Sequence, residues 1–319
     1  LVDDATLGVV IIVQYCVISS VINVCGMVTN FINIAVFIKM GFAEVINISL
    51  LSLSVADLGS LVALQFFNIC ISPWMQTADI PFEAFEVAYL AGGWPRMYTV
   101  RVVAWVTAFI TFERCLCIAM PLKVKLILTP IRTVYILIFI FVFIAAALSA
   151  SFITTTLVWK FFPGKNKTLV GIGVTANRKE VDSIAFVVND IFLPISAYVS
   201  VVVCTVVLTV KLSSKAKWRQ QSTTKSDHVT GKEKQVMKLV NVISGLFIAS
   251  YFPNAVVFFW MAREPEFNID GKYRNIFMVC FSYCFIAESL NSCVNIVVYY
   301  KMSSKFKSVF NTMFRLDPS

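Results

Sequence analysis

The chain has 319 residues, of which 58% are hydrophobic and only 14% charged, with a mean hydropathy of +0.80. A soluble domain is roughly 45–50% apolar and about 25% charged, so this composition excludes a soluble globular protein and points to a chain that crosses a membrane several times. The formal charge of +9 raises the question of nucleic acid, but the basic residues cluster in connectors and no nucleic-acid motif accompanies them; they read as a solvated surface beside lipid.

Crossing a hydrocarbon core takes about 20 apolar residues in a helix. Seven stretches meet that length, at 9–38, 45–71, 90–119, 133–157, 184–210, 236–261 and 276–300. The third is interrupted by Arg96 and Arg101. A last segment, 303–314, is too short to span. Phe306, Val309, Phe310, Met313 and Phe314 make one of its faces while Lys305, Lys307 and Arg315 lie elsewhere, as in a helix lying on a membrane surface. Residues 1–319 therefore read as one all-α membrane domain, a seven-helix bundle with a C-terminal amphipathic helix. No internal repeat is apparent, which counts against a transporter built from inverted halves.

Odd-to-even connectors and the C-terminal segment are basic, with Lys123, Lys125, Arg132, Lys211, Lys215, Lys301 and Lys305 among their residues, while the opposite side holds Asp3, Asp4, Asp79, Glu83, Glu86 and Glu180. The positive-inside rule then places the N-terminus outside and the C-terminus in the cytoplasm. Asn166-Lys167-Thr168, before the fifth span, is a glycosylation sequon on the predicted outer side. The connector from Lys211 to Lys238 is basic and rich in Ser and Thr, including Ser222, Thr223, Thr224, Ser226 and Thr230; it reads as a solvated linker and as a partner-docking, phosphorylatable loop. Nine cysteines fall mostly inside apolar runs and are expected as buried thiols. The lone His228 leaves no multi-histidine metal site. The chain opens at Leu1, and no signal peptide is visible.

Charge inside the spans carries the functional information. An arginine immersed in hydrocarbon costs at least ~2.5–3.5 kcal/mol, so Glu113 and Arg114, at the end of the third span, must pair or face protein. Arg96 and Arg114 are eighteen residues apart, five turns of helix, so they share a face with about 27 Å between them. In the seventh span Glu288, Asn291, Ser292, Asn295 and Tyr299 form a stripe at helical spacing. Asp57 and Asn30 lie at comparable depth. Such groups can serve only to bind helices together, at about 0.6–2 kcal/mol per hydrogen bond, or they can form a functional interior.

These residues carry a resemblance. Gly26 to Asn30, Leu53 to Asp57, Glu113-Arg114-Cys115 with Pro121, Pro194, Phe247 with Tyr251-Phe252-Pro253, and Asn295 to Tyr299 followed by Phe306 resemble, in order and spacing, the motifs of rhodopsin-like (class A) G-protein-coupled receptors. Gly93-Trp94-Pro95, the run from Ile110 to Lys125 and the run from Asn291 to Tyr300 resemble molluscan chemosensory receptors within that group.

The resemblance implies a receptor in the plasma membrane, not an enzyme. It would bind an extracellular small-molecule or peptide ligand and activate a heterotrimeric G protein by outward movement of the sixth helix, with arrestin and a receptor kinase as further partners. Glu113, Arg114, Glu233, Asn295, Tyr299, Phe247, Tyr251 and Pro253 would form the switch, with Arg114 locked by Glu113 and Glu233. Arg96, Asp190, Glu288 and Tyr251 would line the ligand pocket, with Arg96–Glu288 and Arg101–Asp190 as buried pairs that are either structural or open to a competing ligand carboxylate. Asp57, Asn291, Ser292 and Asn295 would hold an allosteric sodium ion, although Val103 replaces the serine often found beside it. An aspartate that binds amines is replaced by Arg96, and the retinal lysine of opsins by Ser289, so neither an amine ligand nor retinal is expected. Other departures are Tyr89 in place of the disulfide-forming cysteine of the third helix, Ile296 for the proline of the seventh, Cys115 for tyrosine, and Val202 for the tyrosine of the fifth. The alternative is a transporter or another polytopic protein without G-protein coupling.

Overall fold

The computed structural model describes residues 2–221, 231–269 and 271–316, without the side chains of Pro121, Leu122, Lys125, Lys179, Asp182, 212–221 and 231–234. Among the described residues seven helices are long and apolar enough to cross a membrane: α1 (Asp4–Met40), α2 (Val45–Ile71), α3 (Ala84–Ala119), α4 (Pro130–Ile153), α5 (Ser183–Lys211), α6 (Gln235–Arg263) and α7 (Arg274–Met302). A short helix α8 (Ser304–Phe314) follows. Helix α1 packs on α2 and on α7, α7 on α6, and α6 on α5; α3 touches α2, α4, α5 and α6 and so joins the two ends of this row into a ring. Because it meets four neighbours, α3 can carry Arg96, Arg101 and Glu113 as buried residues and still cross the membrane. Their low hydropathy records burial against protein, not a broken span.

Three of the helices are wound wide for part of their length. Ile11–Ser19 in α1, Tyr89–Gly93 in α3 and Phe186–Phe192 in α5 are π-helical. Each π-turn adds a residue per turn and rotates the side chains beyond it, and such turns are frequent at functional sites. Asp190 lies inside one of them and Arg96 three residues beyond another.

The stretch expected to complete the fourth span is instead strand. Helix α4 ends at Ile153, and Leu157 belongs to β1 (Thr155–Phe162), which pairs antiparallel with β2 (Lys167–Val174). Thr154, Thr155 and Thr156 are β-branched and favour strand. The Arg178 guanidinium donates to the Ser151 carbonyl at 2.8 Å, and Thr175 N–H to the Thr154 carbonyl at 3.1 Å, so the last carbonyls of the helix are satisfied from outside it. Asn166 takes the left-handed conformation at the turn (φ 50°, ψ 38°) and is exposed.

The hairpin is clasped to the connector between α2 and α3. Val170 exchanges backbone hydrogen bonds with Pro81 and Glu83, at 2.9 and 2.8 Å. Glu86 accepts from Lys160 at 2.8 Å and from the Ile172 N–H; Lys165 pairs with Glu83 at 2.7 Å and Lys167 with Asp79 at 2.6 Å. The Lys167 hydrogen bond, and then its charge, hold the Asp79 carboxyl below the usual carboxylate range. Gly171 permits this approach, since a Cβ there would lie 2.5 Å from Glu86 Oε2.

At the opposite end Ser303 caps α8 by accepting from Phe306 N–H at 3.2 Å, and the buried rings of Phe37, Tyr299 and Phe306 meet at 5.2–5.5 Å between centroids, joining α1, α7 and α8. None of the nine cysteines is in a disulfide. The expectation that they are buried needs correction: Cys70 and Cys284 are buried, Cys25 is exposed and the others are intermediate. An apolar run places a residue in the membrane, but only helix packing decides whether it faces protein or lipid.

Candidate functional site

At the hairpin end the bundle interior holds two ion pairs. Arg96 of α3 is hydrogen-bonded to Glu288 of α7, with 5% and 3% of the two side chains exposed. The same guanidinium lies 4.3 Å from the centroid of the Phe285 ring and reaches Ser60 Oγ of α2 at 3.4 Å. Glu288 Oε1 accepts from Asn254 Nδ2 of α6 at 2.6 Å. Arg101 pairs with Asp190 of α5, donates to the Asn189 and Met97 carbonyls at 2.6 and 2.9 Å, and feels the charge of Glu288 as well. Two cations and two carboxylates thus lie on three helices, α3, α5 and α7, and their neutral partners Ser60 and Asn254 add α2 and α6. A buried pair is stable only when its geometry is good and its remaining hydrogen-bonding capacity is met. Here that capacity is not fully met: Asn254 Oδ1 is buried and has no hydrogen-bond partner among the described residues.

Below this group the Tyr251 ring stacks on Phe247, with centroids 4.1 Å apart and planes at 24°. Tyr251 is buried on α6, one turn from Phe247 and three residues before Asn254. Pro253 lies inside α6, one residue before Asn254. Proline removes a helical hydrogen bond and kinks a helix at that point. Tyr198 of α5 donates to the Ile248 carbonyl of α6 at 3.3 Å, so a tyrosine one turn before Val202 ties α5 to α6.

At mid-bundle Asp57 is fully buried, and both its oxygens are met by neutral donors: Ser292 Oγ at 2.6 Å and Asn295 Nδ2 at 2.9 Å. Asn30 Nδ2 bridges the Gly26 and Ser292 carbonyls at 2.9 and 3.0 Å. Asn291 Oδ1 and Asn295 Oδ1 are buried acceptors without a donor among the described residues. A carboxylate removed from water and met only by neutral donors keeps a large desolvation cost, which a monovalent cation offsets. The charge and the spare oxygens fit such an ion.

At the α8 end Arg114 is hydrogen-bonded to Glu113, and both side chains are largely buried, at 12% and 2% exposed. Glu113 Oε2 and Arg114 Nε have no hydrogen-bond partner among the described residues. Cys115 Sγ donates to the Cys204 carbonyl of α5 at 3.2 Å, which binds α3 to α5 where a tyrosine was expected by resemblance. The side chain of Glu233 lies outside the described residues, as do Ser222, Thr223, Thr224, Ser226, His228 and Thr230.

The structure therefore brings together Arg96 with Glu288, Asp57 with Ser292 and Asn295, and Phe247 with Tyr251. Asn291 stands beside the Asp57 group by helical position, with no hydrogen bond to it. Asn254 was not singled out from the sequence, although a polar residue directly after Pro253 in an apolar run is the signal that marks it. Asn189, Ser60 and Phe285 carry no such signal, because only the packing of α2, α5 and α7 brings them to the arginines.

A ring of seven membrane-crossing helices with a charged interior at one end, a buried acid–arginine pair at the other and an amphipathic helix after the seventh defines a seven-transmembrane receptor. Residues 17–317 match the profile of the family described as Serpentine type 7TM GPCR chemoreceptor Srw, and the chain belongs to that family. No curated protein sequence matches the chain.

Proposed function

We propose that this chemoreceptor lies in the plasma membrane with the hairpin end outside and the α8 end in the cytoplasm, binds its ligand among Arg96, Asp190, Glu288 and Tyr251, and activates a heterotrimeric G protein through Arg114. The orientation rests on the basic connectors of the α8 end. The observation that carries the reading is the placement on one helix, α3, of a buried, incompletely satisfied charge group at one end and the Glu113–Arg114 pair at the other.

A ligand that binds the open state better than the closed one shifts the population toward it. Asn254, the residue after Pro253, donates to Glu288, so a change in the partners of Glu288 bears on α6 at its proline. Phe247 and Tyr251 pack one turn further along, and outward movement of α6 would release Arg114 toward the G protein. Arrestin and a receptor kinase are further partners in this reading, with the Ser- and Thr-rich connector as their contact. Asp57, Ser292, Asn291 and Asn295 would hold a sodium ion, whose charge would neutralise Asp57 when bound.

The test is G-protein activation by the full chain, read against several G-protein classes with a panel of chemical stimuli, beside Arg114→Ala at equal surface expression. A response in the wild type that Arg114→Ala abolishes supports the reading. A stimulus response that persists undiminished in Arg114→Ala overturns it.

A further inference from the structure

The four charges at the hairpin end balance one another, two cations against two carboxylates, in a place largely withdrawn from water. This balance limits what can be admitted. A ligand with a single negative charge can take Arg96, but it then leaves Glu288 buried without its cation. A ligand with a single positive charge can take Glu288, and it leaves Arg96 in the same position. Removing one partner of a buried pair is far more costly than removing or replacing both. A ligand carrying both charges replaces both partners at once and keeps the group neutral.

The surroundings favour the same answer. Beside Glu288 stands a further acceptor without a partner among the described residues: Asn254 Oδ1, whose amide nitrogen already donates to Glu288. A carboxylate beside an orphan carbonyl suits an ammonium group, which has three donors and no acceptor. The Arg96 guanidinium is planar, has five donors in a fork, and matches a carboxylate in two-point contact. Its neutral partner among the described residues, Ser60 Oγ, is held at the long distance of 3.4 Å. Unsatisfied buried polar atoms in an otherwise well-paired interior call for an explanation, and a polar ligand that arrives between the two side chains supplies one.

We propose that the Arg96–Glu288–Asn254 group is the receiving site for a small zwitterion of the amino-carboxylate class, whose carboxylate takes the place of Glu288 on Arg96 while its ammonium takes the place of Arg96 on Glu288 and Asn254. No covalent step is involved; two charge-assisted contacts replace one. The proposal rests on the receptor reading and narrows its ligand class. It also gives Asn254 a role, since the ammonium would bind beside the proline kink of α6.

The experiment uses the purified full chain in lipid nanodiscs and reads thermal stability and direct binding, neither of which requires a G protein. The probes are unbranched ω-amino carboxylates of two to six carbons and the common α-amino acids, each beside the alkylamine and the alkyl carboxylate of matched length. The expected result is a saturable rise in Tm with one or more zwitterions, and binding weaker by about a hundredfold for the matched amine and acid, in line with the cost of stranding one buried charge. Arg96→Gln and Glu288→Gln should each lose a comparable factor. The reversed pair Arg96→Glu with Glu288→Arg should restore both folding and zwitterion binding, because the ligand can turn end for end; a merely structural pair would restore folding alone. The proposal is overturned if no zwitterion in the series binds more tightly than its matched amine or acid, or if the folded Arg96→Gln variant binds it as well as wild type. Should a singly charged or neutral compound instead activate the wild type through Arg114, the receptor reading stands and the zwitterion is rejected.

Discussion

Arg96 and Glu288 are the residues on which the interior depends most. Truncating one of them leaves the other charged, buried and unpaired, so Arg96→Met should destabilise the receptor by about 3–5 kcal/mol, while Arg96→Met with Glu288→Met should recover most of that loss. Thermal unfolding of the two variants in nanodiscs decides it, and equal destabilisation would show that the pair does not act as a unit. Glu113 is the corresponding residue at the other end. It holds Arg114 from the adjacent position, and Glu113→Gln removes that charge, so basal G-protein activation should rise at equal surface expression. At Asp57 the expected observation is a rise in Tm with sodium that potassium does not match and that Asp57→Asn abolishes, since the ion would offset the cost of the buried carboxylate.

The hairpin is the element least expected in an all-helical chain. Its clasp consists of two backbone hydrogen bonds and the pairs Lys160–Glu86, Lys165–Glu83 and Lys167–Asp79. Ion pairs this exposed are individually weak and are screened by salt. Glu86 is the exception in that it also accepts a backbone N–H of β2. Glu86→Ala should therefore speed amide exchange through 155–174 without altering α7, and raised salt should do the same to a lesser degree; exchange measured by mass spectrometry with unchanged rates in the hairpin would refute this. Helix α8 is held chiefly by burial of Phe306 against Phe37 and Tyr299, with one exposed ion pair, Lys305 to Glu44 at 3.3 Å. Its attachment should therefore depend little on salt.

For the molecule as a whole the first matter to settle is which end faces out. Asn166 is exposed at the hairpin tip, so if that end faces the lumen during synthesis the sequon is available for modification. A gel shift on glycosidase treatment, absent in Asn166→Gln, is the expected outcome, and protection of the hairpin tip inside sealed cells would reverse the orientation. The number of spans, the amphipathic last helix and the two ends of α3 were legible in the residues because hydropathy over about 20 residues and an eighteen-residue separation are local, periodic quantities. The pairing of Arg96 with Glu288, and of Asp57 with Ser292 and Asn295, could be anticipated because charge in a membrane has few places to go. The end of α4, the three π-helical turns, the hairpin clasp and the part of Asn254 could not. Each depends on which helix stands beside which: Arg178 ends α4 from a different segment, Glu86 grips a strand more than seventy residues away, and Asn254 matters only because α6 packs against α7 at Glu288. Local pattern placed the helices in the membrane, and only their packing decided which buried polar atoms found partners and which did not.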